Sequence, residues 1–505
     1  MVENSIQETD QVTSTPVSFW VKLVYGAGDV GMASFNTLRQ FFYAIFLTDT
    51  VGLDPRIASI TAFLGVVWDA INDPLVGAIS DNVRTRWGRR RPFLLFFTIP
   101  FALGFVFLWW VPPIKSQVLL ALYVMMAYMI SDTLQTLVMV PFLSLTPELT
   151  SDYDERTALT SYRMFFNLIA SLGTAVVAPM VMDGVIKAGF SMQQGYMLVA
   201  ALFGAIAVVP YLGTFLVVRE QREHQLARGE RISFWQTMRL AWENVPFRFA
   251  AGLYMLNWVT FDLVAMMLPF FLTYWIGSGD LLYKATIFGE PIALESVALG
   301  AMFLVAIAAL PAWNWLSTRL GKSRAYIAGM GFWAAVLCLA IFIQPGQIGF
   351  IIVLAVLSGL GASTAHVLPD AIFPDVIEWD ELRTRRRHEG VYYGIKNFSR
   401  KLAGAVAIFV VLQVLGWFGY QAPPEGVTRF AQPTSALWAI RILTGPVGAL
   451  LLVGTILVAW FYPLNKEKHT RVRRLLAKRR RQEARRLRRL ERKKSLPGGE
   501  DVLQV

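Results

Sequence analysis

Three polar side chains lie within one turn of a strongly apolar segment. Asp69, Asn72 and Asp73 belong to the run Trp-Asp-Ala-Ile-Asn-Asp-Pro at residues 68–74. A helix would place residues spaced i, i+3 and i+4 on one face. Two carboxylates in apolar surroundings are costly unless they meet a cation, a proton or a basic partner. The spacing therefore favours a site for Na⁺ or H⁺ over its alternative, a carboxylate pair held by salt bridges between helices.

Pro74 adds a further potential ligand to this turn. Proline has no backbone N–H, so the helix leaves the carbonyl oxygen of Ala70 without its usual donor. Carboxylates, an amide and a free carbonyl are all hard oxygen ligands of the kind that alkali and alkaline-earth cations prefer. The donor set around residues 69–73 thus suits a coupling cation.

The composition indicates where such a site must lie. Only 16% of the 505 residues are charged and 55% are hydrophobic, whereas soluble proteins carry about 25% charged residues. This excludes an ordinary soluble enzyme and a disordered chain, and indicates a multi-pass membrane protein. The single cysteine, Cys338, excludes an intrachain disulfide. With no Walker motif, zinc-ligand spacing or nucleophile–base pair, we expect neither an enzyme nor a cofactor.

Apolar segments long enough to cross a bilayer recur along the whole chain, since about 20 residues suffice. The turn Gln-Pro-Gly-Gln at residues 344–347 divides the longest of them. We predict an all-α integral membrane protein with twelve transmembrane helices, near residues 22–47, 57–79, 92–112, 117–146, 158–183, 194–218, 248–277, 292–317, 324–344, 348–374, 391–417 and 436–462.

The positive charges predict the orientation. Loops on one side hold eighteen Lys and Arg residues and those on the other side five, so the first set should be cytoplasmic. The N-terminus lacks the positive region of a signal peptide, and we expect both termini in the cytoplasm of a plasma (bacterial inner) membrane. Residues 466–494 contain sixteen Lys and Arg and three Glu. Directly after the last span, this tail should bind anionic lipid headgroups rather than nucleic acid.

The chain also carries signs of duplication. Arg-Trp-Gly-Arg at residues 86–89 follows the second predicted span, and Arg-Leu-Gly-Lys at 319–322 follows the eighth. We expect a cytoplasmic tail at 1–17, a six-helix half at 18–219, a cytoplasmic middle loop at 220–246, a second half at 247–463 and a basic cytoplasmic tail at 464–505. Two such halves are typical of transporters that bind their solute between them near the midplane.

The loop after the second span resembles the signature loop of the major facilitator superfamily, where it acts as a conformational latch. Together, residues 68–74 and 86–92 resemble the glycoside–pentoside–hexuronide:cation symporter family, to which melibiose permease belongs. Segments at 22–28, 140–147, 375–381 and 390–394 extend the resemblance over both halves. The residues of the resembling latch are Gly77, Asp81, Arg86, Gly88 and Arg89.

The resemblance implies a site for each part of a symport cycle. The family's cation site corresponds to Asp69, Asn72, Asp73 and Thr136. The lysine near that site corresponds to Lys401, next to Arg400, and either cation could pair with Asp69 or Asp73 in one state of the cycle. Arg400 is better explained as lining a hydrated vestibule. The coupling ion would be Na⁺ or H⁺.

The sugar site of melibiose permease corresponds poorly. Ala33, Met139 and Leu143 stand where that protein has polar or aromatic ligands, and Arg163 is displaced by one position. Polar residues in membrane helices are expected to face the cavity or a partner; the candidates for the solute cavity are Asp29, Arg163, Asn167, Asn257 and Asp262.

These observations predict a cation-coupled symporter, working as a monomer by alternating access, for a sugar, glycoside or related small solute. The alternative is a symporter or flippase for a lysolipid or other amphiphile, since lysophospholipid symporters share the Trp-Asp-Ala motif. A second alternative is a sensor that binds without translocating; an appended signalling domain would favour it, and the basic tail is too short and simple for one.

Overall fold

The structure is a computed structural model that describes residues 17–150, 152–220, 239, 241–287, 289–385, 389–424, 426–464 and 466–494. The first sixteen residues, most of the predicted middle loop and the last eleven residues lie outside this described part.

Helices account for nearly all of the first half. Apolar residues that face neighbouring helices and lipid sustain them without an amphipathic pattern. Helix α1 spans Phe19–Ala27, and α2 spans Asp29–Ile45 with a π-helical turn at Phe46–Thr50. They are followed by α3 (Pro55–Asn82), α4 (Arg91–Phe107), α5 (Gln117–Leu143), the short α6 (Thr146–Leu149), α7 (Tyr153–Lys187) and α8 (Met192–Val217).

The second half repeats the pattern with one addition. Helix α9 spans Val245–Phe270 and continues as a π-helix at Phe271–Ile276. A hairpin follows, of β1 (Lys284–Ile287) and β2 (Glu290–Ala293), which pair antiparallel with Lys284 opposite Ala293. Next are α10 (Leu294–Leu320), α11 (Lys322–Leu339, with a 3₁₀ turn at Ala340–Phe342), α12 (Ile348–Thr384), α13 (Glu389–Trp417), α14 (Thr434–Ile442, with a π-turn at Leu443–Val447), α15 (Gly448–Trp460) and α16 (Lys466–Lys494).

The described part of the chain thus makes twelve helical passages, which confirms the predicted fold class. Ten are long and apolar enough to cross a membrane. The other two are α4 and the first passage, α1 with α2. Gly28 interrupts that passage, and a Cβ there would lie 2.4 Å from the Phe142 ring. The interruption therefore brings the first passage unusually close to α5.

One helix end departs clearly from the prediction. Helix α12 runs to Thr384, ten residues beyond the predicted end at 374. Asp375, Glu378 and Asp380 end the apolar pattern, but charge stops a membrane span, not a helix. The hairpin was not predicted either, because its four-residue strands are too short to show an alternating pattern.

The halves meet along three helix pairs: α3 with α13, α7 with α10, and α2 with α9. Loop 83–90 defines the arginine-loop side of the bundle, and the β1–β2 hairpin defines the hairpin side. Polar contacts between the halves cluster on the hairpin side and at mid-depth. They include Tyr420 Oη to Asp49 Oδ1 at 2.5 Å, Ser296 Oγ to the Val176 carbonyl at 2.7 Å and Ser59 Oγ to Gln413 Oε1 at 2.8 Å. The hairpin side is therefore sealed.

Candidate functional site: the Asp69–Asp73–Lys401 centre

Helix α3 carries both predicted carboxylates to the contact with α13 of the other half. Lys401 of α13 lies between them: its Nζ is 2.5 Å from Asp69 Oδ1 and 2.6 Å from Asp73 Oδ2. It also donates to the Asp69 carbonyl at 2.9 Å. The side chains of Asp69, Asp73 and Lys401 keep 14%, 33% and 20% of their exposure. Water therefore reaches the centre mainly past Asp73.

This arrangement leaves the centre with room for one more positive charge. Two ionised carboxylates and one ammonium have a net charge of −1, and a monovalent cation would neutralise it. Two unit charges about 4 Å apart interact by about 4 kcal/mol at an effective dielectric of 20. An ion entering the centre therefore competes with Lys401 for the same two carboxylates, and the competition has a substantial energy scale.

Thr136 and Asn72 complete the oxygen donors around Asp73. Thr136 Oγ1 of α5 donates to Asp73 Oδ1 at 3.3 Å, and Asn72 is only 3% exposed. The amide nitrogen of Asn72 has no hydrogen-bond partner among the described residues. A buried amide without a partner is costly, so this turn of α3 is incompletely satisfied in the present conformation. The four predicted residues thus converge as a set of hard oxygen donors that suits Na⁺.

Arg400 does not join this centre. Consecutive helical residues point about 100° apart, so when Lys401 faces α3, Arg400 faces elsewhere. Its guanidinium pairs with Asp262 of α9 at 2.6 and 3.0 Å and stacks 4.0 Å over the Trp258 ring. Gln40 Nε2 of α2 also donates to Asp262 Oδ1 at 2.5 Å. Asp262 therefore links the halves beside the cation centre.

The remaining acids of the first half are paired within that half. Asp29 accepts two hydrogen bonds from Arg163, at 3.0 and 3.3 Å, and is 1% exposed. Asp132, also 1% exposed, pairs with Arg39 at 3.1 Å. Nothing in the motif at 68–74 points to this second pair, although both residues carry charge in an apolar helix. Neither acid is free for a solute in this conformation.

The two predicted asparagines differ in their surroundings. Asn257 is fully buried; its amide donates to the Ala365 carbonyl at 3.0 Å and accepts from the Tyr326 hydroxyl at 2.9 Å. Its hydrogen bonds are thus used inside the second half. Asn167 is half-buried on α7, one helical turn from Arg163, and stays a candidate for solute contact.

The predicted latch is organised by an acid that the motif does not contain. The Glu220 carboxylate accepts from the backbone N–H groups of Arg89, Arg90 and Arg91, at 2.6, 2.8 and 2.9 Å. A carboxylate at a helix start satisfies donors that the helix cannot. Gly88 has a φ of +112°, and a Cβ there would lie 2.6 Å from this carboxylate. The glycine is needed for both reasons.

Side chains of the latch pair within the first half. Arg89 donates to Glu148 at 2.6 Å, and Arg90, not Arg86, pairs with Asp81 at 2.9 Å. Partial burial alone would lower the pKa of Arg89, but the hydrogen bond and charge of Glu148 raise it overall. Arg86 stacks 4.4 Å over Trp87. Gly77 is uncrowded: the nearest atom to a Cβ there, on Val140, would be 3.9 Å away.

The second half repeats the latch with different partners. Gly321 also has a positive φ, +88°, and Lys322 pairs with Asp375 of α12 at 2.6 Å. Helix α16 packs on α12, burying Val472 and Leu476. His469 Nε2 lies 2.8 Å from Glu378 Oε2. The basic tail is therefore seated on the helix that extends beyond its predicted span.

Comparison with known proteins adds independent evidence. The sequence model of the family described as MFS/sugar transport protein matches residues 24–466. An uncharacterized symporter of Synechocystis is 28% identical over 93% of this chain and 98% of its own length. The sodium-dependent lysophosphatidylcholine symporter 1 of Gallus gallus is 28% identical, covering 88% of this chain and 87% of that protein.

The protein named glycoside/cation symporter YagG of Escherichia coli is 26% identical over 91% of this chain and 95% of its own length. Among solved structures, the nucleoside transporter NupG superposes with a TM-score of 0.60 at 12% identity, over 87% of this chain and 98% of that one. At that identity the likeness concerns the fold alone.

Proposed function

Because the chain belongs to the MFS/sugar transport family, we propose that it is a cation-coupled symporter in which the Asp69–Asp73–Lys401 centre binds the coupling ion. The observation that carries this proposal is the ammonium of Lys401, held between two carboxylates of the other half. An ion that displaces Lys401 removes a bond between the halves. Ion binding is thereby linked to their relative movement.

The cycle follows from this competition. Without cation, Lys401 neutralises one charge and holds α13 against α3. Na⁺ or H⁺ then enters past Asp73, releases Lys401 and leaves the centre neutral, so that the loaded carrier can close around its solute. Na⁺ is the better supported ion, because Thr136 and Asn72 supply neutral oxygen donors beside the carboxylates, which a proton would not need.

The test is uptake into proteoliposomes under imposed Na⁺ or H⁺ gradients. Asp73→Asn is expected to abolish gradient-driven accumulation and to leave downhill exchange partly intact. Asp69→Asn should behave similarly. Asp81→Asn, an exposed latch residue, is the matched control and should slow uptake without changing its ion dependence. Accumulation against the gradient by the Asp69→Asn/Asp73→Asn double variant would refute the proposed centre.

Two classes of solute fit such a carrier. A glycoside is the class named for YagG, and a lysolipid is the class named for the Gallus gallus relative. We favour an amphiphile, because polar groups of the cavity pair with one another: Asp29 with Arg163, Asp132 with Arg39 and Asp262 with Arg400. Ala33 is 2% exposed, and Met139 and Leu143 are half-buried. Few free donors and acceptors are left for sugar hydroxyls.

The two classes separate in a binding experiment. Lysophosphatidylcholine presented at a fixed ratio in nanodiscs should raise the unfolding temperature in Na⁺ more than in K⁺. Melibiose should give no saturable heat at micromolar concentration. The reverse pattern would assign the chain to the sugar carriers while leaving the cation centre intact.

We also propose that the arginine-loop side faces the cytoplasm of the plasma (bacterial inner) membrane. The eighteen Lys and Arg residues of the loops support it. In this orientation the sealed hairpin side is external, and the present conformation takes up ions from within. Helix α16 then places its exposed Arg471, Arg473 and Arg474 where anionic lipid headgroups lie.

A further inference from the structure

The hairpin side contains a cavity of about 730 Å³ between the two halves. It is separate from the Asp69–Asp73–Lys401 centre, none of whose residues lines it. Its walls are largely apolar and aromatic, and include Phe42, Ile45, Met182, Tyr196 and Pro269. Ligand pockets of a few hundred Å³ with such walls bind small organic molecules, and their few polar groups decide which ones.

The polar groups of this cavity are acidic. Asp49, at the end of the first passage, and Glu295, at the start of α10, both line it and are half-buried. Among the described residues, no Lys, Arg or His lies within 4 Å of either carboxylate. Asp49 accepts only from hydroxyls, those of Thr48 (2.7 Å), Tyr420 (2.5 Å) and Tyr274. Glu295 accepts one long hydrogen bond, from Thr273 at 3.4 Å.

Other acids of the membrane helices are treated differently. Asp29, Asp132 and Asp262 each have an arginine, and Asp69 and Asp73 share a lysine. Asp183, the third acid of the cavity, pairs with Lys187 and Lys284, both near 2.9 Å. Since an unpaired charge in apolar surroundings is costly, Asp49 and Glu295 are set apart by lacking a cation of the protein itself.

We propose that this cavity is a binding site for an organic cation, an ammonium group attached to an apolar body. The ammonium would pair with Glu295 and Asp49, and its apolar part would lie against Phe42, Ile45 and Tyr196. The aromatic ring of Tyr196 also favours a cation through its π-face. An inorganic ion would leave the apolar walls uncovered, whereas a neutral solute would leave the acids unpaired.

Asp49 gives the site a consequence for transport. The same carboxylate that faces the cavity accepts hydrogen bonds from Tyr274 and Tyr420 of the other half, and these contacts belong to the seal. A cation at Asp49 draws negative charge away from both hydroxyls and weakens their bonds. The cavity is thus a waiting site at the closed entrance, and its ligand promotes opening. This inference goes beyond the symport proposed above.

The probe is benzyltrimethylammonium, titrated by calorimetry into the protein in a neutral detergent, with benzyl alcohol as the uncharged comparison. We expect saturable binding of the ammonium and none of the alcohol. Glu295→Gln should weaken it at least tenfold. Thr50→Lys, which keeps both acids and adds an ammonium at the cavity wall, should do the same. It covers the case in which Glu295→Gln fails to fold.

Two controls locate the binding. Glu290→Gln removes an exposed acid of strand β2 that does not line the cavity, and should leave the affinity unchanged. The Asp69→Asn/Asp73→Asn variant should also bind normally, even if the symport proposal fails. Equal binding of benzyl alcohol, or an affinity unchanged by Glu295→Gln and Thr50→Lys, would overturn the inference. Loss of binding in Asp69→Asn/Asp73→Asn would overturn it as well, because the ammonium would then bind at the central site.

Discussion

The Lys401 ammonium lies 2.6 Å from the Asp73 carboxylate although the two residues belong to opposite halves of the chain. Asp73 in turn accepts from Thr136 at 3.3 Å within its own half. One carboxylate therefore touches both a neutral oxygen donor that suits a metal ion and an ammonium that replaces the ion. Whether ion or ammonium is bound decides how tightly α3 and α13 are held together.

Replacing Lys401 by methionine should strengthen cation binding and stop net transport. Without the competing ammonium, the two carboxylates attract a cation more strongly, and we expect its affinity to rise at least tenfold, about 1.4 kcal/mol. The empty carrier would then hold two bare charges and return poorly, so counterflow should persist while accumulation is lost. ²²Na⁺ binding and solute counterflow measure the two effects.

Lys396→Met is the control for this variant. Lys396 lies on the same helix but pairs with Asp370, at 2.7 Å, and its loss should change cation affinity less than twofold. Unchanged affinity in Lys401→Met would mean that the ammonium does not compete with the ion.

Tyr420→Phe should loosen the hairpin side. The substitution removes the 2.5 Å hydrogen bond to Asp49, and hydrogen bonds to charged groups contribute about 1.5–3 kcal/mol. We expect the population with a separated hairpin side to grow about tenfold or more. Electron–electron resonance between spin labels at Lys115 and Glu290 measures it, in a Cys338→Ala background because Cys338 is exposed.

Tyr123→Phe provides the comparison for the same experiment. The Tyr123 hydroxyl donates to the Trp110 carbonyl at 3.0 Å, within the first half, so its loss should leave the label distances unchanged. Identical distance distributions for Tyr420→Phe and the parent protein would show that Asp49 does not seal this side.

Glu220→Gln should destabilise the fold more than its exposure suggests. Three backbone N–H groups donate to this carboxylate, and weakening them should cost about 1–3 kcal/mol. The unfolding temperature in detergent should fall by several degrees. Glu243→Gln, which loses only ion pairs of 3.4 and 3.5 Å between half-exposed side chains, should cost less than about 1 kcal/mol. Equal shifts for the two variants would contradict this account of the latch.

The proposed orientation is testable with single cysteines in the Cys338→Ala background. Arg84 is exposed on the arginine-loop side and Glu290 on the hairpin side. An impermeant maleimide added to intact cells should label Glu290→Cys and not Arg84→Cys. Gly88 is unsuited to this purpose because its φ is +112°. Labelling of Arg84→Cys alone would reverse the topology.

Much of the fold could be predicted because a membrane imposes a one-dimensional rule. Each passage must be apolar over a fixed length, and hydropathy along the chain therefore revealed twelve passages and the repeat of Gly88 and Gly321. The rule fails where a helix leaves the membrane, as α12 does beyond residue 374. It also fails where structure is short, as in the β1–β2 hairpin.

The cation centre divides in the same way. Asp69, Asn72 and Asp73 share a helix face by spacing alone, so the sequence by itself determined that a cation or a basic group must meet them. Only the tertiary structure decided that Lys401 meets them while Arg400 pairs with Asp262. Likewise only the packed halves brought Glu220 to the start of α4 and Asp49 to Tyr420. The physical reason is distance: periodicity links residues within one helix, whereas these partners come from helices that only side-by-side packing brings together.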